Sequence, residues 1–223
     1  MRNIMVIDLR VLPVLFHLRH HALMCRLHLE HLDLLDAMIA KLDAQIEEMM
    51  VPFRVARDRL MSIPGLGPMA AAQALGEIGT TPQEFFATAA KLASWAGMCP
   101  GNHESAGKRR SGRRRHGNQH LQPVLVEAAW SAVRHPGYLR SLYHRHVMKN
   151  GGYRSQVAKK KAIVTVAHAI IDIIWHVLAT GTPYHELGED YFIARKDPDK
   201  EAQRLIAKLE ALGHKVTVEP LVA

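Results

Sequence analysis

The residues with the clearest chemical potential lie in the run Gly101-Asn102-His103-Glu104-Ser105-Ala106-Gly107-Lys108-Arg109-Arg110-Ser111-Gly112-Arg113-Arg114-Arg115-His116-Gly117-Asn118. Six of the eight residues from Lys108 to Arg115 are cationic. Such a cluster on a Gly-punctuated segment neutralises phosphates, and binding of that kind weakens with salt. Arginine outnumbers lysine here, and its planar fork matches phosphate oxygens. A solvated charged loop has the same composition, so charge density alone leaves both readings open. Ser105 is the candidate nucleophile. A serine hydroxyl is weak until its proton is removed or the developing charge is stabilised. His103 and Glu104 are candidate proton acceptors, and the nearby guanidinium groups are candidate stabilisers of a phosphorane-like transition state. A serine beside glycine is also an ordinary turn residue, and Ser111 is an equal candidate for that part.

A second motif is Ile63-Pro64-Gly65-Leu66-Gly67-Pro68, leading into Met69-Ala70-Ala71-Ala72. A Pro-Gly-x-Gly turn before a helix leaves backbone N–H groups unpaired, and the helix N-terminus adds positive partial charge. Pro64, Gly65 and Gly67 are therefore candidate contacts to DNA backbone, as in the hairpin of a helix-hairpin-helix module. A plain tight αα turn has the same spacing. Lys159, Lys160 and Lys161 form a second, weaker basic patch at a helix start.

The elements that must position these motifs are helical. From about Ala22 to Met50, Leu32, Leu35, Ile39, Leu42, Ile46 and Met49 step by three and four, which makes one seam. The seam suits a helical hairpin, a short coiled coil or one amphipathic helix on its own domain. Pro52 opens a helix over Phe53 to Met61. Helices are then expected over Met69 to Ile78, Phe85 to Trp95, Leu121 to His135, Tyr138 to Lys149 and Gln156 to Ala179. Gly97 to Asn118 reads as mainly loop. In the tail, an amphipathic helix over Asp199 to Leu212 has Asp197 or Asp199 as cap and Gly213 as stop. His214 to Glu219 alternates like a short edge strand. The expected fold is mainly α: a helical hairpin or coiled-coil segment leads into a helix-hairpin-helix-like helical domain, with a small helix-strand tail. The expected divisions are an irregular segment 1–21, the coiled-coil-like helix 22–51, the helical domain 52–180 and the tail 181–223.

Composition narrows the function class. Of 223 residues, 48% are hydrophobic and 22% charged, which is a globular balance. Lys plus Arg number 29 against 21 Asp plus Glu, a net charge of +8 that favours a polyanionic partner. The two cysteines, Cys25 and Cys99, form no CxxC and no disulfide framework, which suits a reducing cytoplasm. The histidines, including His17, His20 and His21, lack metal-ligand spacing, so no metal residues are assigned. Met1 to Arg10 carries charges within its apolar run and has no small-residue cleavage site, so it does not read as a signal peptide. The apolar run Ala162 to Ala179 contains His168, Asp172 and His176 and reads as a buried helix, so no membrane partner is expected.

Several of these stretches together resemble a known family. They are Ile63 to Pro68, Glu77-Ile78-Gly79, Phe85, Leu92 to Gly101, Glu104-Ser105-Ala106-Gly107-Lys108, His116-Gly117-Asn118 with Leu121, and Glu127-Ala128-Ala129-Trp130. The resemblance continues through Lys160-Lys161-Ala162-Ile163-Val164 to Tyr191-Phe192 and Gly213, and covers about residues 22–220. It is to the C-terminal region of transposases of the insertion-sequence 110/116/902 family. By that resemblance, complete enzymes join an N-terminal ribonuclease-H-like domain, whose carboxylate tetrad holds Mg2+, to a helical segment and a C-terminal domain with a serine in a Ser-Gly-like motif. The serine attacks DNA and forms a phosphoserine link, and some members are guided by an element-encoded noncoding RNA. Transferred residue by residue, the nucleophile is Ser105, with the departure that Ala106 separates it from Gly107. Asp8 superficially resembles the family's first acid, but the 21 residues before Ala22 leave no room for the other three.

The resemblance therefore implies a DNA-binding transposase region truncated at its N-terminus. It would have Ser105 as nucleophile and no cofactor of its own, Mg2+ coming only with the N-terminal domain. Its implied partners are DNA, a noncoding RNA in members that use one, and a second copy or full-length transposase. The alternative is a non-catalytic fragment that binds DNA, dimerises and titrates full-length enzyme.

Overall fold

The computed structural model of the chain describes residues 19–101, 103–111, 114, 116–194 and 198–217. Asp8, His17, Arg113, Arg115, Asp197 and positions 218–219 of the expected strand lie outside the described residues. The described part is mainly helical. The chain divides into two compact units, 1–52 and 53–223.

The first unit is described as a single helix, α1 (Arg19–Met49). Arg19, His20 and His21 are helical, so the irregular segment expected over 1–21 does not reach its stated end. Leu32, Leu35, Ile39, Leu42, Ile46 and Met49, the expected seam, are 37–66% exposed.

The second unit is organised around one long helix. A short 3-10 turn (Val51–Phe53) precedes α2 (Arg54–Met61), and α3 (Pro68–Ile78) follows the Pro-Gly-x-Gly turn. Pro68 stands at the first position of α3, where a missing N–H costs nothing. Ala71, Ala74, Leu75 and Ile78 are its buried face, at the spacing of one helical stripe. Ile63 and Leu66 of the preceding turn are buried as well, so the turn is anchored by its apolar side chains.

The helix expected over Phe85 to Trp95 is instead two, α4 (Pro82–Phe85) and α5 (Ala89–Trp95). Phe86 is extended between them, and its carbonyl accepts the Trp175 indole N–H at 2.9 Å. The Thr88 hydroxyl then caps α5, accepting from Lys91 N at 3.3 Å. A tertiary hydrogen bond and a new cap thus outweigh the continuous helical pattern.

Three further helices complete the core: α6 (Leu121–Ala132), α7 (Tyr138–Lys149) and α8 (Gln156–Thr180). Ser155 caps α8, its hydroxyl accepting from Ala158 N at 3.2 Å, and Gly181 ends it in the left-handed region. α8 packs against α2, α4, α5, α6 and α7. Its length and composition would suffice for a membrane span. Ala162, Ile163, Val166, Ala167, Ile170, Ile171, Ile174 and Val177 are nevertheless buried among the other helices. Each large aliphatic side chain so buried contributes roughly 1.5–3 kcal/mol, and this is how a core helix behaves.

After Gly181 a strap folds back over α7 and enters α9 (Tyr191–Ala194). Glu186 Oε1 accepts from Tyr138 N at 2.7 Å and from Gly188 N at 3.0 Å. Tyr184 Oη donates to Glu186 Oε2 at 3.1 Å. The Tyr138 ring packs on both Tyr191 and Phe192, with centroids at 5.1 and 5.4 Å, and the Arg145 guanidinium sits 5.0 Å over Phe192. These contacts hold the start of the expected tail onto the helical domain, within one compact unit. The tail helix α10 spans Pro198–Ala211, which places Asp199 inside it, and Gly213 follows it with φ +88°. Leu205, Leu209 and Leu212 are exposed. His214 to Thr217 form no strand; alternation without a pairing partner does not make one.

Candidate nucleic-acid interface

The segment expected to be mainly loop contains a β-hairpin. β1 (His103–Ser105) pairs antiparallel with β2 (Lys108–Ser111), with Ser105 opposite Lys108 and Glu104 opposite Arg109. The two-residue turn is Ala106-Gly107, with φ of +50° and +71°. Positive φ at both positions is what a primed turn requires, and it matches the twist of the flanking strands. Only glycine adopts it freely, and alanine at the first position costs about 1–2 kcal/mol. The departure noted at Ala106 is therefore a departure at a turn position, and Ser105 keeps its place as the last residue of β1.

Ser105 is exposed and so is Lys108. Directly paired residues have Cβ atoms roughly 4.5–5.5 Å apart, so the Lys108 stem starts beside the serine. Successive strand residues point to opposite faces, which takes Glu104 away from Ser105 as a direct base. Arg109 and Arg110 continue along β2. Arg114 is set apart from this row. Its backbone bridges to Pro100, and its Nη1 donates to Met98 Sδ at 3.7 Å. It therefore lies back against the helical core and not along the hairpin.

The Pro-Gly-x-Gly turn splits into two roles. Gly65 has φ +91°, and a Cβ there would stand 2.1 Å from the Ala128 carbonyl oxygen and 2.8 Å from Ala132 N. This glycine therefore seats the turn against the backbone of α6. Gly67 differs, because nothing lies within 4 Å of its would-be Cβ. It precedes Pro68, and no side chain caps α3. Pro64 is half-buried beside it.

Two motif residues that the sequence reading left without a role are structural. A Cβ on Gly117 would meet the Ala96 and Gly97 backbone at 2.4 Å, so the segment after the hairpin crosses directly over the end of α5. Asn118 Oδ1 accepts from His120 N and Leu121 N, both at 2.8 Å, and starts α6. Its Nδ2 donates to Glu77 Oε2 at 2.5 Å, tying α6 to α3. The signal was the Gly-Asn pair ahead of an apolar helix.

A third grouping has the order of a nucleophile relay. Cys99 Sγ is 4.0 Å from His168 Nδ1, and His168 Nε2 is 3.4 Å from Asp172 Oδ2. Burial, and after it the Asp172 carboxylate, push the Cys99 thiol up, which works against a thiolate nucleophile. Burial also raises Asp172, against the opposing pull of His168 and His176. Among the described residues no group of three or more His, Cys, Asp or Glu could hold a metal ion.

Comparison with known proteins decides the affiliation of this region. Residues 57–144 match the model of the transposase IS116/IS110/IS902 family. A curated protein of Sinorhizobium fredii with a provisional transposase name, y4pF/y4sB, is 30% identical over 129 residues. The chain carries an IS116/IS110/IS902-family transposase region. The match is narrower than the resemblance read over 22–220, but it contains every sequence-derived candidate from Pro64 to Arg115. The aligned part is 57% of this chain and 32% of the relative, so the chain spans about a third of the length of the curated protein it matches.

Proposed function

We propose that the chain handles DNA as part of a transposition reaction, with Ser105 as its nucleophile. The observation that carries this reading is the basic hairpin inside the transposase region: an exposed serine at a primed turn, paired with Lys108 and followed by Arg109 and Arg110. The open N-terminus of α3 at Gly67 and Pro68 supplies a second contact to DNA backbone, because its first N–H groups lack a side-chain cap. Arg113, Arg114 and Arg115 follow β2 in sequence and add to the positive charge of this stretch. In the proposed step the Ser105 Oγ–P bond forms and the bond from phosphorus to one sugar oxygen breaks. That oxygen leaves as a hydroxyl, taking up a proton equivalent to the one Ser105 loses. Lys108 stabilises the charge that develops on the phosphoryl oxygens.

A second reading has one specific observation in its favour. The α1 seam is exposed along its length, which suits pairing with the same helix of another copy or of a longer transposase. In that reading the chain binds DNA and dimerises without catalysis. One experiment separates the two. The chain is incubated with labelled insertion-sequence end DNA, and denaturation-resistant adducts and binding are measured together. Ser105→Ala is expected to abolish the adduct and to leave affinity within about twofold, since one exposed hydroxyl adds little to a phosphate-driven interface. An adduct that persists in Ser105→Ala rejects the nucleophile. Binding with no adduct in the parent chain, together with sedimentation as a dimer, favours the second reading.

A further inference from the structure

Arg114, which follows the basic hairpin, and Lys160 and Lys161 are far apart in sequence, but the fold brings them to the same cavity. It has a volume of about 470 Å3 and lies between Met98 and Pro100 ahead of β1, Arg114, and the first turns of α8. Met98, Val157 and Val164 form apolar walls, and Arg114, Lys160 and Lys161 are its permanent charges. Among the described residues no carboxylate lines it. The Pro100–Arg114 bridge places the cavity at the foot of the strands that carry Ser105. Arg114 is held there by its contact to Met98 Sδ at 3.7 Å. His168 also lines the cavity, with Nε2 directed to Asp172 at 3.4 Å.

This combination selects for a ligand. Three fixed cations with no opposing acid call for an anion, and apolar walls call for a flat, poorly hydrated body attached to it. The volume falls within the range of small-ligand sites. It suits a single nucleotide, whereas a duplex has no comparable body to insert. Bases taken out of the stack are held between apolar side chains while cations keep the backbone.

We propose that this cavity receives one unstacked nucleotide of the bound DNA. Its base lies against Met98, Val157 and Val164, and its flanking phosphates lie on Arg114, Lys160 and Lys161. The proposal rests on the DNA-handling reading above and adds a site for a nucleotide outside the helix, next to the serine hairpin.

The test uses the full chain and three duplexes of one sequence: fully paired, with a single bulged adenosine nucleotide, and with a bulged abasic residue. The two bulged duplexes carry the same phosphates and differ only by the base. The expected result is affinity at least about fivefold higher for the bulged base than for the abasic bulge. Val157→Trp, at an exposed position on the rim, and Val164→Phe, deeper in the wall, fill the cavity and should each abolish that preference. Equal affinity of the parent for both bulged duplexes overturns the nucleotide site and leaves DNA binding standing. So does a preference that survives in both variants. Failure of all three duplexes to bind overturns the DNA-handling reading itself.

Discussion

Gly65→Ala separates a packing glycine from a phosphate-binding one. The backbone at Gly65 has φ +91°, a region that costs an L residue about 1–2 kcal/mol. The new Cβ would stand 2.1 Å from the Ala128 carbonyl oxygen, so the turn and α6 must separate until that distance reaches at least 3.0 Å. Both partners are backbone, and no side chain can rotate away. Overpacking of that kind costs about 1–3 kcal/mol. Alanine returns about 0.4–1 kcal/mol by restricting the unfolded chain. The expected net loss is about 1–4.6 kcal/mol. Tryptophan fluorescence in urea is a suitable assay, because Trp95, Trp130 and Trp175 all lie in the second unit and report on it alone. Gly67→Ala is the control. Its φ of −84° is ordinary and its Cβ meets nothing within 4 Å, so the midpoint should move by less than the equivalent of about 1 kcal/mol. A Gly65→Ala midpoint equal to that of the parent, with DNA affinity lost instead, would refute the reasoning.

Two further perturbations address the strap and the buried acid. Glu186→Ala removes the acceptor for Tyr138 N and Gly188 N. It should destabilise the second unit by about 1–2 kcal/mol, as loss of a helix cap does; faster amide exchange at Tyr138 is the local check, and unchanged exchange would mean that Glu186 does not hold the start of α7. Asp172→Asn concerns pH. Burial raises the Asp172 carboxyl above its usual 3.8, so its contribution to stability is fully present below that pH and is lost as pH rises through the folded-state value. The variant has no such loss. Its stability relative to the parent should therefore climb as pH rises above 3.8 in urea titrations at fixed temperature; a difference independent of pH would show that the Asp172 carboxyl is not raised in the folded chain.

The helices were legible because each writes its own period. α7 has the predicted bounds Tyr138–Lys149, and α8 ends one residue beyond its predicted end. Their boundaries are marked by local signals: Asn150-Gly151-Gly152 between them and Ser155 as a cap. The β-hairpin has no such period. Its strands are short and solvated, so alternation of apolar residues, the usual sign of a strand, is absent. The only local sign is the demand for positive φ at Ala106-Gly107, and alanine at the first of those positions hides it. Gly65 shows a different limit. A glycine that lets a phosphate come close and a glycine that lets a helix come close are the same residue in sequence, and only the neighbour distinguishes them.

The same limit applies to the site. Lys108, Arg109, Arg110 and Arg114 read as one basic run, yet pairing in β2 puts the first three on a hairpin while the Pro100 bridge turns Arg114 towards Lys160 and Lys161. Charge density was visible in the sequence; its division between a strand beside Ser105 and a cavity behind it was not. That division depends on a close backbone crossing at Gly117 and Gly97, which sets where the chain leaves the hairpin. The glycines of the motif thus act on the chemistry indirectly. They fix the path of the chain, and the path decides which cations lie along the hairpin beside Ser105 and which line the cavity with Lys160 and Lys161.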